Sequence, residues 1–252
     1  MHPADGGRVK AVLLAAGYAT RLYPLTRETP KPLLEVGGRP LLTHILERVV
    51  ALPGISEIAV VSNHRFVEPL RAWARGGLAA LPLRVLDDGS TEESDRLGAV
   101  GDLAFALREM PLAGEDLLVV AGDNLLGFDL APLFARFARE RKPLLVVRRV
   151  ARAGPSPYNE VRLGPGDRVV GFREKPADPQ TEWAAIALYF FPPEVEGLLA
   201  RYLAEGGNPD APGHFVAWLV RETEVVAARC EGEWFDIGSL EALEAARARF
   251  SG

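Results

Sequence analysis

Between residues 8 and 150, short apolar runs alternate with helical periodicity, and few architectures accept that rhythm. "RVKAVLLAAG" (8–17) is nearly continuous in apolar residues and stops at a glycine, as a strand covered on both faces does. "RPLLTHILERVVAL" then places Leu42, Ile45, Leu46, Val49 and Val50 on one helical face. "SEIAVVSNH" reads as a second strand, 66–75 as a helix and "LPLRVLDD" as a third strand. Residues 98–110 are helical, "EDLLVVAGDN" (115–124) is a strand ending in small and polar residues, and "FDLAPLFARFARERK" is an amphipathic helix before the strand "PLLVVRRV". Strands and helices in this order predict an α/β domain with a mostly parallel sheet and helices on both faces.

After residue 150 the rhythm changes. "YNEVRLGPGDRVVGFREKP" (158–176) has two period-2 strands around "GPGD", a hairpin signal, and "EWAAIALYFF" is a further strand. A helix opens on prolines and closes on glycines across 192–207. The loop "NPDAPGHF", a helix, the strand "TEVVAARCE" and "EWFDIGSLEALEAARARF" complete the chain. There is no internal repeat, low-complexity tract or linker, so a single domain over 1–252 with a β-rich insertion in its second half is expected.

Composition narrows the ligands. The net charge is −5 and no Lys/Arg run is long enough to follow a nucleic-acid backbone, so neither nucleic acid nor membrane is an expected partner. No apolar segment reaches the ~18 residues of a membrane span. "MHPADGGRVK" lacks the apolar core of a signal peptide, and the single Cys230 excludes an internal disulfide; a cytoplasmic protein is expected. Lysine is scarce, 4 residues (10, 31, 142 and 175) against 25 arginines, so each lysine asks for a local reason. His2, His44, His64 and His214 show no metal-ligand spacing, and Cys230 reads as a small core residue.

"LLAAGYATRLYPLTRETPKPLLEVGGRPLL" (13–42) leaves its strand at Gly17 and does not enter a helix as a dinucleotide-binding unit would. It carries Arg21, Lys31 and three prolines (Pro24, Pro30, Pro32) before helical periodicity returns. A glycine at a strand's carboxyl end lets backbone N–H groups approach phosphate, Thr20 adds a hydroxyl, Arg21 a bidentate fork and Lys31 a compact charge. The prolines stiffen the stretch between the cations. It is not a Walker loop, because G-x-x-x-x-G-K-[ST] is absent.

"LAAGYATRLYPLT…PKPLLEVGGRPLL" resembles the signature of the sugar-1-phosphate nucleotidyltransferases, the NDP-sugar pyrophosphorylases, of which glucose-1-phosphate thymidylyl- and uridylyltransferases are typical. The likeness continues in order through "VVAGDN" (119–124), "GFREKP" (171–176) and "EWFDIG" (233–238). It implies a Rossmann-like, GT-A-like fold with a nucleotide-binding part at about 8–150, an acceptor-binding part at about 151–238 and a terminal helix at 239–250 that packs or meets another subunit in a homo-oligomer. It implies a Mg²⁺-dependent reaction between an NTP and a sugar 1-phosphate. Arg21, Lys31 and Asp123 become the catalytic residues, with Asp123 and Asp236 as metal ligands. Ala15, Ala16, Gly17, Thr20 and Arg21 become nucleotide-binding. Asp88 and Gly98 join them from "LDDGSTEESDRLGAVGD" (86–102), where the family reads the base, Asp87 being the other candidate there. Gly122, Asn124, Asn159, Glu174 and Lys175 become acceptor-binding.

The chain departs from the family pattern in places. Ala19 replaces the second glycine of G-x-G-[ST]-R, Asn159 replaces a glycine after Tyr158, and Ile186-Ala187 replace a Thr-Gly pair. "NPDAPGHF" (208–215) stands where an acidic helix start is usual. Since most departures fall on the acceptor side, two alternatives stay open: a non-sugar acceptor such as phosphocholine or an alditol phosphate, and a regulatory homologue without catalysis. The left-handed β-helix domain of longer relatives is not expected, as the sequence ends soon after Phe250.

Overall fold

The computed structural model describes residues 7–76, 81–151 and 157–250. The first strand is β1 (Val9–Leu14), followed by short 3₁₀ turns at Thr20–Leu22 and Lys31–Leu33. A two-residue ribbon, β2 (Glu35–Val36) and β3 (Arg39–Pro40), leads into α1 (Leu41–Val50). Next come β4 (Ile55–Ser62), α2 (Val67–Ala74), β5 (Leu83–Asp87), α3 (Ala99–Glu109), β6 (Asp116–Ala121), β7 (Asn124–Gly127), α4 (Ala131–Glu140) and β8 (Leu144–Arg149). The second part holds β9 (Glu160–Leu163), β10 (Val169–Arg173), β11 (Trp183–Phe191), α5 (Val195–Ala204), α6 (Pro212–Glu222), β12 (Val226–Arg229), β13 (Glu233–Asp236) and α7 (Leu240–Arg249).

Seven strands form the main sheet in the order β12-β8-β11-β6-β1-β4-β5. β11 alone runs antiparallel to its neighbours, pairing with β6 and β8. The continuous apolar runs follow from burial on both faces. In β1, Val9, Ala11 and Leu13 pack towards α1 and α4, whereas Val12 packs towards α3, α5 and α6; Leu118 and Val120 in β6 repeat the first side, Leu117 and Val119 the second. The expected β-rich second half divides. β9 and β10 form the predicted hairpin around Pro165–Asp167, but β11 and β12 belong to the main sheet. α6 starts at Pro212, inside the stretch read as a loop.

The proline-rich stretch after β1 is anchored rather than free. Leu22, Leu34, Val36 and Leu41 bury against Leu125, Ile237, Leu243 and Ala246, a small third core built from β7 and α7. β7 pairs antiparallel with β13, Asn124 opposite Asp236. No helix among the described residues is long and apolar enough to cross a membrane.

Candidate functional site

The carboxyl ends of β1 and β6 open into a cleft of about 360 Å³. Ala15, Ala16 and Gly17 leave β1 along its floor. The Ala15 N–H is held by Val61 O (2.9 Å), and Ala16 O accepts from Asn63 Nδ2 (2.8 Å), so the strand end is fixed. Gly17 is exposed, and a Cβ there would meet no protein atom within 4 Å, which leaves its backbone open to a ligand. Gly122 serves a different need: its Cβ would lie 2.8 Å from Leu14 O, so glycine is what lets β6 end against β1.

Charge gathers at one point. Asp123 stands in the turn between β6 and β7, and Asp236 ends β13. The β7–β13 ribbon and a bond from Ile237 N to Asp123 O (3.1 Å) bring these distant residues together. Lys31, at the second 3₁₀ turn, donates from Nζ to Asp123 Oδ2 at 2.6 Å. Burial first, and then the neighbouring Asp123, push the Asp236 carboxyl up to about 6, against the pull of Lys31, Lys175 and Arg21. A pair of crowded carboxylates with a lysine standing where a cation is wanted fits a hard divalent ion that keeps most of its own waters. Among the described residues no group of three or more His, Cys, Asp or Glu side chains could hold a metal; His2 lies outside them.

Thr20 and Arg21 are exposed on the first 3₁₀ turn and do not line the cleft wall, although Arg21 is near enough to act on Asp236. Ala19, before that turn, has φ 50° and ψ 41°. The backbone is left-handed there, which accounts for a glycine in the family pattern without invoking contact with phosphate.

On the β11 side the two predicted asparagines are engaged by the protein itself. Asn159 Nδ2 donates to Ala185 O (3.0 Å) and its Oδ1 accepts from Ala185 N (2.7 Å). Asn124, 2 % exposed, donates to Ile186 O and accepts from Trp234 Nε1 (2.9 Å). Together they clamp the break in pairing between Ala185 and Tyr189, where Ala187 takes φ 53°. The rings of Tyr158 and Trp234, centroids 5.4 Å apart, line the same end of the cleft. Glu174 and Lys175 line it as well; burial raises the Glu174 carboxyl, and its Oε2 fills the space a side chain at Gly213 would need.

At the β5 end, Gly98 (φ 78°) precedes α3 and a Cβ there would lie 2.5 Å from Pro209 O. Asp210 O accepts from Ala99 N (2.7 Å) and Pro209 O from Val100 N (2.9 Å), the first N–H groups of α3, and Arg96 pairs with Asp210 (2.9 Å). Asp88 does not line the cleft; its Oδ1 accepts from Ser90 N and Ser90 Oγ, both at 2.7 Å. Beside it lies Asp102, a cleft residue that sequence reasoning missed. Its signal was present: an acid four residues after Gly98 within the apolar pattern of Val100, Leu103 and Leu107. His44 packs on Val36 O and Phe250, and Cys230, its thiol pushed up to about 11 by burial, takes no part in the cleft.

Residues 10–251 match the family model described as nucleotidyl transferase. The chain is 27 % identical to a glucose-1-phosphate thymidylyltransferase of Streptomyces antibioticus over 92 % of its own length and 63 % of that protein's. It is 33 % identical to a mannose-1-phosphate guanylyltransferase of Mycobacterium tuberculosis over 73 % of its length and 49 % of that protein's. It thus spans only about half to three-fifths of these relatives. A crystal structure of a UDP-glucose pyrophosphorylase complexed with UDP-glucose shares the fold, with a TM-score of 0.83, 18 % identity, and coverage of 96 % of this chain and 98 % of that one.

Proposed function

The chain belongs to the nucleotidyl transferase family, and from that premise we propose that it transfers a nucleotidyl group from a nucleoside triphosphate to a sugar 1-phosphate, releasing pyrophosphate. The observation that carries this reading is the meeting of Lys31, Asp123 and Asp236 beside the open backbone of Gly17. A phosphate oxygen of the acceptor bonds to the α-phosphorus, and the bond from that phosphorus to the β-bridging oxygen breaks, its electron pair leaving with pyrophosphate. The attacking oxygen is already anionic, so the work is positioning and charge stabilisation, and no general base is required.

Each residue then has a task. Gly17 and the turn after it receive the triphosphate, with Arg21 on the departing phosphates. Lys31 exchanges its bond to Asp123 for one to phosphate, and Lys175 holds the acceptor's phosphate. Asp123 and Asp236 would hold Mg²⁺. When bound, that ion neutralises charge on the phosphate oxygens in flight. Gly122, Glu174 and the clamped strand end at Ala185–Ala187 shape the acceptor's place, Asn124 and Asn159 acting through that clamp. In this reading residues of about 8–150 serve mainly the nucleotide and those of about 151–238 mainly the acceptor, with Asp210 crossing to the first end and Asn124 to the second.

A second acceptor class has its own support. The Tyr158 and Trp234 rings can face a quaternary ammonium group, which would suit phosphocholine. The deciding experiment measures pyrophosphate release from the purified protein across NTPs and phosphorylated acceptors, with Mg²⁺ and with a chelator. Release that needs an NTP and a sugar 1-phosphate together, and stops on chelation, is expected. Release only with phosphocholine or an alditol phosphate would move the acceptor. Nucleotide binding without release from any pair would leave the regulatory reading standing.

A further inference from the structure

The cleft has two unlike ends on either side of the Lys31–Asp123–Asp236 centre. Towards β11 its wall is aromatic, with Tyr158 and Trp234. Towards β5 and α3 it is acidic. Asp102 is 6 % exposed yet lines the cleft. Its Oδ1 and the Oδ2 of Asp88 are buried and receive a hydrogen bond from no donor among the described residues. The two carboxyls lie close enough to act on one another. Burial foremost, then the charge and hydrogen bond of Asp88, push Asp102 up to about 8; burial likewise raises Asp88. Arg96 opposes this on Asp102 but is bonded elsewhere, to Asp210 and Glu93. Asp87 adds its charge beside Asp88, and Tyr18 faces the group through Ser90, its hydroxyl donating to Ser90 Oγ at 3.4 Å.

A single proton held between Asp88 Oδ2 and Asp102 Oδ1 would satisfy both orphaned atoms and leave the pair one negative charge. That proton is then committed inside the pair. Asp88's other oxygen is taken by Ser90. What remains for a ligand is an acceptor on Asp102, and the donor side chain that lines the cleft near it, Arg96, is already paired with Glu93 and Asp210. Buried acceptors left without donors cost ~1–3 kcal/mol each, so a ligand that brings N–H groups is favoured over one that brings carbonyls. Uracil and thymine offer one N–H flanked by two carbonyl oxygens. Cytosine and adenine offer an amino group beside a bare ring nitrogen. Guanine alone offers two adjacent N–H donors, on N1 and N2, and a carboxyl oxygen is their natural partner.

We infer that the Asp88–Asp102 pair is the base-selecting element of this cleft and that the nucleotide it selects carries guanine. The inference rests on the proposed nucleotidyl transfer for the presence of a nucleotide, but the choice of base can be read by binding alone.

The test is titration calorimetry of the protein with GTP, ATP, CTP, UTP and dTTP, for wild type, Asp102→Asn and Asp88→Asn, with thermal melting to establish that each variant is folded. Pyrophosphate release is measured in parallel with the acceptor panel. Wild type is expected to bind GTP at least ten times more tightly than UTP or dTTP. Asp102→Asn exchanges one acceptor for a donor and should cut that preference tenfold or more, while the KM for the acceptor stays within a factor of three. Tighter binding of UTP or dTTP by wild type overturns the inference, even if neither variant folds. So does an Asp102→Asn protein that is folded and keeps its preference for GTP, or one whose only change is a higher acceptor KM. Guanine preference in binding with no pyrophosphate release would sink the proposed transfer and leave base selection intact. Release without guanine preference would do the reverse.

Discussion

Asp123 and Asp236 share one cleft with Asp102, which Asp88 backs from outside the lining, yet the first pair is surrounded by Lys31, Lys175 and Arg21, whereas the second is served by Ser90 and touches no cation. Both pairs are crowded by burial and by like charge, and both have one member pushed well above the usual carboxylate range, to about 6 for Asp236 and about 8 for Asp102. Their outlets differ. Cations at hand favour the ionised form of the first pair, the form that the proposed Mg²⁺ would need, and Lys31 already occupies one oxygen. With no cation in contact, the second pair settles its excess charge by keeping a proton. Two identical functional groups are therefore assigned to charge chemistry and to hydrogen-bond selection by their neighbours alone.

The comparison breaks most visibly if the first pair is neutralised. Asp123→Asn is expected to cost ~3–4 kcal/mol of transition-state stabilisation, a loss of about 10²–10³ in kcat. Its melting temperature should stay close to that of wild type, since the amide is nearly isosteric. Turnover within tenfold of the parent would show that the pair is not a metal site.

Lys31→Met asks whether the lysine occupies the metal's place. Turnover should fall roughly 10–10²-fold with the loss of one close cation, while Mn²⁺, followed by electron paramagnetic resonance, should bind more tightly to the vacated Asp123. Unchanged Mn²⁺ affinity would mean that Lys31 and the ion do not compete.

For the second pair the readout is stability against pH. Asp102 is protonated in both folded and unfolded chains below about pH 4 and ionised in both well above its folded value of about 8. In between, the unfolded chain gains by ionising while the folded one keeps its proton, so wild-type stability falls as pH rises through that window. Asp102→Asn removes the loss and should gain ~1.4 kcal/mol per pH unit relative to wild type between pH 4 and pH 8, up to ~5 kcal/mol at the top of that window. A stability difference that does not change with pH would mean that Asp102 is ionised in the folded protein.

The smallest effect is expected from Lys175→Ala. Its side chain is 58 % exposed, so its loss should raise the acceptor KM by about 5–10-fold, on the scale of ~1 kcal/mol, and leave the order of NTP preference unchanged. A changed NTP order would place Lys175 at the nucleotide instead.

The sheet was legible because both faces of its strands are covered, which writes apolar runs directly into the sequence. Residues singled out by the ordered motifs, Gly17, Lys31, Asp123 and Asp236, do meet in the cleft. What stayed hidden depends on partners far along the chain. Asn159 looked like a group for the ligand, yet its amide is closed onto Ala185. Gly98 lines the cleft, but the side on which a Cβ would stand is filled by the backbone of Pro209 and Asp210, a contact more than a hundred residues away in sequence. Ala19 and Ala187 stand where the family pattern has glycine and keep a left-handed backbone, which reading by side-chain size alone does not reveal. Asp102 was passed over because helical periodicity records that a position is turned inward, not what it meets there.

The ribbon of β7 and β13 also sets an order in time. A chain made from its N-terminus presents Asp123 beside Lys31 long before residues 233–236 exist to pair with 124–127. Until then Asp123 has a lysine but no second carboxylate, and three of the eight buried residues of the third core that fixes the proline-rich stretch are missing, since Ile237, Leu243 and Ala246 are still to come. A nascent chain can thus complete much of its sheet before its two facing carboxylates meet, and the pairing of β13 with β7 is the step that brings them together.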